Sequence, residues 1–212
     1  MAYIRAHSGP GYRVEVVPSA AHWEAYWIPR GGLPLARGWY RQLDVVDNPI
    51  LYKKHLTGPL YGQWLRHLGI RYVVLPETKL DFVAAPVEAS LLRSGKSGLV
   101  PVFRSATTTI YELANAAPLL SGPAAARITT FGHTTIAGYV AAPGHYLLRV
   151  RYNPYWSSTA HSYCVREKAS GMTELVMRKR GSFALTVPNG LESLFHSLTS
   201  AGKLRCLTRL GR

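Results

Sequence analysis

Aromatic side chains in two parts of the sequence are the clearest candidates for a binding site. Trp23, Trp27 and Trp39 lie in a stretch near the N-terminus that is interrupted by Gly and Pro. Tyr155 and Trp156 follow an Asn-Pro pair, so we expect them at an exposed turn. Sugar rings and unpaired bases both stack on aromatic faces, although core packing uses most aromatic side chains. The sequence therefore predicts that these five residues provide stacking faces.

Arginines near these aromatic residues are candidate contacts for phosphate or uronate groups. Arg37 and Arg41 lie in the first stretch, and Arg149 and Arg151 alternate along a predicted strand, which puts both on one face. A guanidinium donates paired hydrogen bonds to carboxylate or phosphate oxygens. The alternatives are solvated charge and an internal ion pair. Pairing of Arg37 or Arg41 with Glu24 or Asp44 would be structural, and we favour it over catalysis.

Recognisable patterns for catalysis or metal binding are missing from the sequence. There is no G-x-S-x-G motif, and Gly95-Lys96-Ser97 lacks the earlier glycine of a phosphate-binding loop. The eight histidines show neither an H-x-H pair nor the i, i+4 spacing of a helical zinc site. We therefore predict no catalytic residue, no metal and no cofactor. An enzyme whose site is assembled from distant residues remains as an alternative.

The chain is strongly basic. Its 212 residues include 25 Lys and Arg against 11 Asp and Glu, which gives a formal net charge of +14. Nucleic acid, an anionic membrane surface or acidic glycans would suit this charge as partners. A hydrophobic fraction of 47% is ordinary for a globular protein and excludes wholesale disorder.

The sequence also contains features that indicate the cellular compartment of the protein. It contains no run of roughly 18 apolar residues and no N-terminal segment typical of a signal peptide, which predicts a cytoplasmic protein if the chain is free-standing. The cysteines are Cys164 and Cys206. Two unpaired thiols are the favoured interpretation of this pair, and a single bridge is the alternative.

Alternation and helical spacing predict an α+β fold that begins with a small α/β unit over residues 1–113. The aromatic stretch within this unit is predicted as a loop with short helical turns. The regular elements expected are a strand at 12–17, a helix at 60–68 closed by Gly69, a strand at 70–75, a helix at 86–93 and a strand pair at 99–103 and 107–113.

The second half of the chain has a different pattern of apolar and turn-forming residues. Residues 114–126 (ANAAPLLSGPAAA) are predicted as a linker. Short alternating segments separated by turn signals follow, and they predict an antiparallel β-sandwich over residues 127–190. Residues 191–212 form a basic tail that we expect to be helical or disordered.

Several segments resemble one family of proteins, the large actinobacterial multi-pass membrane proteins of the GT-C glycosyltransferase type. Some of these are labelled 6-pyruvoyl-tetrahydropterin synthase-related membrane proteins. The resemblance covers roughly residues 12–187 and is carried by RVEVVP (13–18), HWEAYW (22–27), LARGWYRQLD (35–44), GIRYVVLP (69–76), PVF (101–103), IYEL (110–113) and GHYLLRVRY (144–152).

The resemblance implies a non-catalytic extracytoplasmic region of a membrane glycosyltransferase-like protein of the cell envelope. Transmembrane helices come first in such proteins, so a missing N-terminal transmembrane domain is the expected partner. The region would cover that domain or bind glycan or lipid-linked sugar. No catalytic residue carries over, and the pterin label implies nothing because the three-histidine zinc pattern of that enzyme is absent. The alternative is a basic nucleic-acid-binding protein. The net positive charge and the aromatic residues interleaved with basic ones support this alternative.

Overall fold

The computed structural model describes residues 2–38, 40–53, 55–158 and 162–187, together with Leu204 and Cys206. The chain divides into two compact units, Met1–Pro118 and Leu119–Arg212. Helices lie in the first unit and antiparallel sheets dominate the second, so the α+β class expected from the sequence is confirmed. Over the described ranges, no helix has the length and apolar character needed to cross a membrane.

The N-terminal unit combines short helices with one mixed sheet. In chain order its elements are α1 (Ala2–His7), β1 (Arg13–Val16), α2 (Glu24–Arg30), α3 (Arg41–Asp47), a 3-10 turn (Pro49–Tyr52), α4 (Gly58–Leu68), β2 (Ile70–Pro76), α5 (Pro86–Arg93), β3 (Val100–Arg104) and β4 (Thr108–Glu112). The sheet order is β1-β2-β4-β3. The first two strands are parallel because helices connect them, while β4 runs antiparallel to both of its neighbours.

Local sequence signals explain why α4 and β2 follow each other directly. The Thr57 hydroxyl accepts a hydrogen bond from the Leu60 amide at the start of α4. Gly69 ends the helix in the left-handed conformation with φ 73°, which glycine adopts without a Cβ clash. The buried face of α4 contains Tyr61, Trp64 and Leu65, which agrees with the helix predicted over residues 60–68.

The C-terminal unit consists of two antiparallel sheets around one core. Its strands are β5 (Leu120–Ser121), β6 (Ala126–Phe131), β7 (Thr135–Val140), β8 (Gly144–Arg151), β9 (Tyr163–Glu167), β10 (Met172–Met177) and β11 (Gly181–Thr186). The sheet orders are β5-β8-β10-β9 and β11-β7-β6. Both sheets contribute to a single hydrophobic cluster that includes Ile136 and Phe183 from one sheet and Leu148 and Leu175 from the other.

The boundary between the units falls inside the predicted linker, but the linker is not free of structure. Leu119 and Leu120 are buried in the C-terminal core, and β5 pairs with β8. Only its first part, up to Pro118, belongs to the N-terminal unit. A two-residue strand has no alternation to detect, so composition alone suggested a linker here.

The C-terminal segment is attached to the second unit by two described residues. Cys206 forms a disulfide with Cys164, and its amide donates to the carbonyl of Val165 on β9. Leu204 is buried in the core of the unit. The expectation of two unpaired thiols is therefore wrong, and the bridge alternative is correct. The predicted basic tail over 191–212 otherwise lies outside the described residues.

Candidate functional site

The two parallel strands of the N-terminal unit bring two loops together at their carboxyl ends. The loop after β1 and the loop after β2 form a bridge between Ser19 and Leu80. Backbone hydrogen bonds flank this bridge, from the Ala20 amide to the Lys79 carbonyl and from the Asp81 amide to the Pro18 carbonyl. The carboxyl edge of parallel strands is where open α/β sheets commonly bind ligands.

Helix α2 and the residue that precedes it present three aromatic side chains at this edge. Trp23, Tyr26 and Trp27 are 62%, 49% and 56% exposed, and we call these three residues the aromatic platform. Tyr26 lies between the two indoles, with edge-on ring contacts at centroid distances of 6.4 Å to Trp23 and 4.8 Å to Trp27. Ile28, on the opposite side of the helix, is buried in the core of the unit.

The orientation of the aromatic platform is fixed by the first residue of α2. The Glu24 carboxylate accepts hydrogen bonds from the Ser19 amide at 3.2 Å and from the Ser19 hydroxyl at 2.6 Å. A carboxylate in the first turn also interacts favourably with the helix N-terminus. These contacts hold the start of α2 against the loop that leaves β1.

A groove of about 490 Å³ runs beside the platform. Trp23 and Trp27 line one part of it, and Ser19, Thr78 and Lys79 supply polar groups to its wall. Residues that carry hydroxyl and ammonium groups thus line the groove beside flat apolar rings, and such a lining suits a polar ring-shaped ligand.

His22 connects the two loops. Its Nδ1 lies 3.4 Å from Oε1 of Glu24, and its Nε2 lies 3.4 Å from Oδ2 of Asp81. The backbone of His22 has φ 54°, a left-handed conformation that is uncommon for a residue with a side chain. Such backbone strain is found preferentially at functional positions. Tertiary contacts maintain it here, and for that reason the sequence did not reveal it.

Asp81 is the anchor of the second loop. Its Oδ1 accepts hydrogen bonds from the Val83 and Ala84 amides at 2.8 Å each, and its Oδ2 accepts one from Arg41 at 2.6 Å. Burial raises the pKa of this carboxyl, but the two amides and the guanidinium outweigh burial, so the pKa is lowered. Sequence reasoning missed both His22 and Asp81 as members of the site, because these two residues are far from each other in the chain.

The predicted stacking residues do not come together as one set. Trp23 and Trp27 share the platform, whereas Trp39 lies outside the described residues. Tyr155 is 51% exposed and belongs to the C-terminal unit. Trp156 is only 6% exposed and packs in the core of that unit, so its prediction as an exposed stacking face is wrong. The Asn-Pro turn exposes the first aromatic residue after it and directs the second into the core.

Arg37 is buried in the N-terminal unit and does not offer an anion contact at the surface. Its Nε donates to Glu15 at 2.7 Å, its Nη1 to Asp44 at 3.1 Å and its Nη2 to Glu88 at 2.6 Å. The prediction of an anion contact is wrong for this residue. The alternative, a structural pair with Asp44, is correct and extends to two further carboxylates. We call Arg37 and its three partners the buried ion cluster.

Hydroxyl and amide groups complete the hydrogen bonding around the buried ion cluster. Tyr61 donates to Glu88 at 2.5 Å, Asn48 donates to Asp44 at 2.7 Å, and Tyr52 also donates to Asp44. In addition, the Arg37 guanidinium lies 6.0 Å from the centre of the Trp64 ring.

The buried ion cluster shifts the pKa values of its members. Burial raises the pKa of Glu15 well above its ordinary range, and the attraction of Arg37 offsets this only in part. Repulsion from Glu88 and Asp44 adds to the upward shift of Glu15. The pKa of Glu88 is also raised, again chiefly by burial. For Arg37, burial lowers the pKa, but the three carboxylates outweigh burial and raise it overall.

The other predicted arginines have different surroundings. Arg41 is partly exposed and paired with Asp81 at the loop edge. Arg149 is half-buried on β8 and donates from Nη1 to the Ser121 hydroxyl at 2.8 Å, and burial lowers its pKa. Arg151 is exposed at the end of the same strand. Of the two predicted arginines in the N-terminal unit, Arg41 is linked through Asp81 to His22, next to the aromatic platform.

Comparisons with known proteins identify no relative of this chain. No family model, curated protein or solved structure matches the chain significantly. In the described parts of the chain, no group of three His, Cys, Asp or Glu side chains is arranged to hold a metal ion.

Proposed function

We propose that the chain binds carbohydrate on the aromatic platform, as a non-catalytic extracytoplasmic region of a membrane glycosyltransferase-like protein. The observation that carries the binding proposal is the exposure of Trp23 and Trp27, each more than half accessible, beside a groove lined by Ser19, Thr78 and Lys79. A folded protein gains about 1.5–3 kcal/mol by burying a large apolar side chain. A pair of neighbouring exposed indoles on a firmly held helix is therefore characteristic of a binding surface.

The chemistry of the groove fits a sugar. The C–H face of a pyranose or furanose ring packs on an indole, and the ring hydroxyls require hydrogen-bonding partners at its rim. Thr78 and Lys79 line the groove, and so does Ser19, whose hydroxyl donates to Glu24. A groove lined only by aliphatic side chains would exclude water, but it would lack the hydrogen-bonding groups that orient a sugar ring.

The disulfide supports an extracytoplasmic location. Disulfides such as Cys164–Cys206 persist in oxidising compartments and are rare in the reducing cytosol. In the proposed setting, a transmembrane domain outside this chain is the partner, and the region covers it or holds glycan or lipid-linked sugar. The actinobacterial resemblance of the sequence supports the same assignment.

Affinity electrophoresis tests the binding proposal. The chain is run through native gels that contain soluble mannan, dextran or arabinogalactan, next to gels without polysaccharide. We expect at least one polysaccharide to retard it, and the variant W23A/W27A to reduce the affinity by about tenfold or more, because two stacking faces are lost.

The variant Y155A is the matched control, since Tyr155 is similarly exposed but lies in the C-terminal unit. It should bind like the unchanged protein. Equal retardation of W23A/W27A and the unchanged protein would contradict the assignment to the platform, and so would loss of binding in Y155A alone. If none of the polysaccharides retards the chain, these sugars are excluded as ligands.

Single-stranded nucleic acid is the second candidate ligand, favoured by the net charge of +14. Unpaired bases stack on exposed indoles as sugars do, and phosphate contacts make such binding steeply dependent on salt. A fluorescent oligonucleotide titrated at several salt concentrations separates the two candidates. Oligonucleotide binding that persists at physiological salt and is lost in W23A/W27A would replace carbohydrate as the assigned ligand.

A further inference from the structure

Two basic residues border the aromatic platform without a carboxylate partner. Arg30 is exposed at the end of α2, and its guanidinium carbon lies 5.5 Å from the centre of the Tyr26 ring. Lys79 is exposed on the loop after β2 and lines the groove together with Trp23 and Trp27. Over the described residues, no ion pair joins Arg30 or Lys79 to a carboxylate. Both positive charges are therefore available to a ligand.

The carboxylates at the same edge are already compensated. The Glu24 side chain is 11% exposed and accepts hydrogen bonds from the amide and the hydroxyl of Ser19. The Asp81 side chain is 3% exposed and is bound by one guanidinium and two backbone amides. Glu77, on the same loop as Lys79, lies 3.7 Å from Arg93. The uncompensated charge that this edge offers to a ligand is therefore positive.

The contact with Tyr26 leaves the hydrogen-bonding edge of Arg30 available. A guanidinium that packs over an aromatic ring retains its N–H donors, which lie in its own plane and suit the oxygens of a carboxylate or phosphate. Arg30 follows Trp27 by three positions and Tyr26 by four on α2, so the three side chains are neighbours on the helix. The donors of Arg30 are thus held next to the rings on which a sugar would stack.

Lys79 reaches the platform from a different element. Its carbonyl accepts a hydrogen bond from the Ala20 amide at 2.9 Å, beside the bridge between Ser19 and Leu80. The backbone of Lys79 is therefore fixed at the groove, while its flexible side chain can adjust to the position of an anionic group. The platform thus has one cation on α2 and one on the loop after β2.

We propose that the glycan bound on the aromatic platform is acidic, and that Arg30 and Lys79 contact its oxyanion groups, either carboxylate or phosphate. This inference rests on the proposed carbohydrate binding and names the class of sugar. The indoles pack on the C–H face of the ring, whereas the two cations distinguish the acidic sugar from its neutral counterpart. Removal of the oxyanion would leave the stacking in place and eliminate the charge-assisted hydrogen bonds.

Two matched pairs of polysaccharides test this specificity. Biolayer interferometry of the immobilised full chain compares polygalacturonate with its methyl ester, and phosphomannan with its dephosphorylated form, at physiological salt. Within each pair the sugar backbone is the same and the oxyanion differs. We expect the acidic member of at least one pair to bind about tenfold or more tightly than the neutral member. A preference in the first pair assigns a carboxylate, and a preference in the second assigns a phosphate.

The double variant R30Q/K79Q removes both cations and should lose the preference for the acidic member, while neutral polysaccharide binds as before. R5Q/K96Q is the matched control, because it removes the same charge from exposed positions on α1 and in the turn before β3, outside the groove. It should retain the preference. Circular dichroism verifies that each variant is folded, and K79Q alone provides a second reading if R30Q/K79Q does not fold.

Three results would overturn the acidic-glycan proposal. The first is equal affinity for the two members of both pairs. The second is a preference that R30Q/K79Q retains, or that R5Q/K96Q loses to the same extent, since net charge alone would then explain it. The third is absence of binding to both acidic polysaccharides. Failure of the proposed function gives a different result, because binding of all these polysaccharides would then be unchanged in W23A/W27A.

Discussion

At Arg37, one guanidinium compensates three carboxylates that are removed from water. Glu15 and Glu88 are fully buried and Asp44 nearly so. Removing the cation of such a cluster leaves uncompensated buried charge, whose energetic cost far exceeds that of losing a surface pair. The cluster therefore stabilises the contact of α3 and α5 with β1, on which the loop edge depends.

We expect R37A to lower the free energy of unfolding by about 3–5 kcal/mol. Urea denaturation followed by circular dichroism measures this change. R93A is the control, because Arg93 is about half exposed and lies 3.7 Å from Glu77, an arrangement that contributes about 0–1 kcal/mol. Equal losses in the two variants would show that Arg37 does not compensate the carboxylates.

The raised pKa of Glu15 makes stability depend on pH. An unfolded glutamate titrates near pH 4.3, whereas burial raises the pKa of folded Glu15 well above that value. Between the two pKa values the folded state binds more protons than the unfolded state. The contribution of Glu15 to stability is therefore fully present below the unfolded pKa and is lost as the pH rises through the folded pKa.

We expect E15Q to reduce the loss of stability between about pH 5 and pH 8, because the glutamine stays neutral across that range. Urea denaturation at both pH values gives the comparison. Some pH dependence of the stability should remain in E15Q, since the pKa of Glu88 is also raised. In E112Q, which changes a partly exposed carboxyl, the pH dependence of the unchanged protein should persist. An identical pH dependence in E15Q would show that Glu15 does not titrate in this window.

Single residues show where sequence reasoning reached its limit. Trp23 and Trp27 were predicted as stacking faces and are exposed, whereas Trp156, which was predicted at an exposed turn, is buried. Exposure depends on which side of the backbone faces the core, and a turn signal does not specify that side. The carboxylate partners of Arg37 lie on three different elements, so no local spacing could have predicted the cluster as a whole.

At the level of elements, periodicity predicted the segments whose neighbours in sequence are also neighbours in space. The strand expected over 12–17 is β1, and the helix and strand expected over 60–68 and 70–75 are α4 and β2. The elements that build the candidate site were less visible. Helices α2 and α3 span seven residues each, and tertiary contacts of Glu24 and Asp44 hold them in place.

The loop after β2 contributes residues that the candidate site needs in addition to the aromatic platform. Lys79 lines the groove, and Asp81 fixes His22. The loop is distant from α2 in the sequence and reaches it only because β1 and β2 are parallel neighbours. Prediction of the site therefore required the strand order, which hydrophobic patterning does not contain.

At the level of the whole molecule, the chain divides into two compact units, and the sequence pattern also changes between residues 113 and 127. Each unit has a hydrophobic cluster of its own, one including Ile4 and Ile110 and the other extending from Leu119 to Leu204. The disulfide lies within the second unit and closes a segment with a sequence separation of 42. It joins the C-terminal segment to β9, which is an edge strand of its sheet.

Loss of the disulfide should therefore affect the two units differently. We expect C206S to destabilise the C-terminal unit by about 2–4 kcal/mol, chiefly because the unfolded chain regains conformational freedom. Hydrogen exchange read by mass spectrometry should show faster exchange in β9 and its neighbour β10, while β1 and β2 exchange as before. C164S and the reduced unchanged protein should give the same pattern, since each lacks the same bond. Equal acceleration in β1 and β2 would contradict a disulfide that acts within one unit, and unchanged exchange in β9 would show that the bond does not hold the segment against this edge.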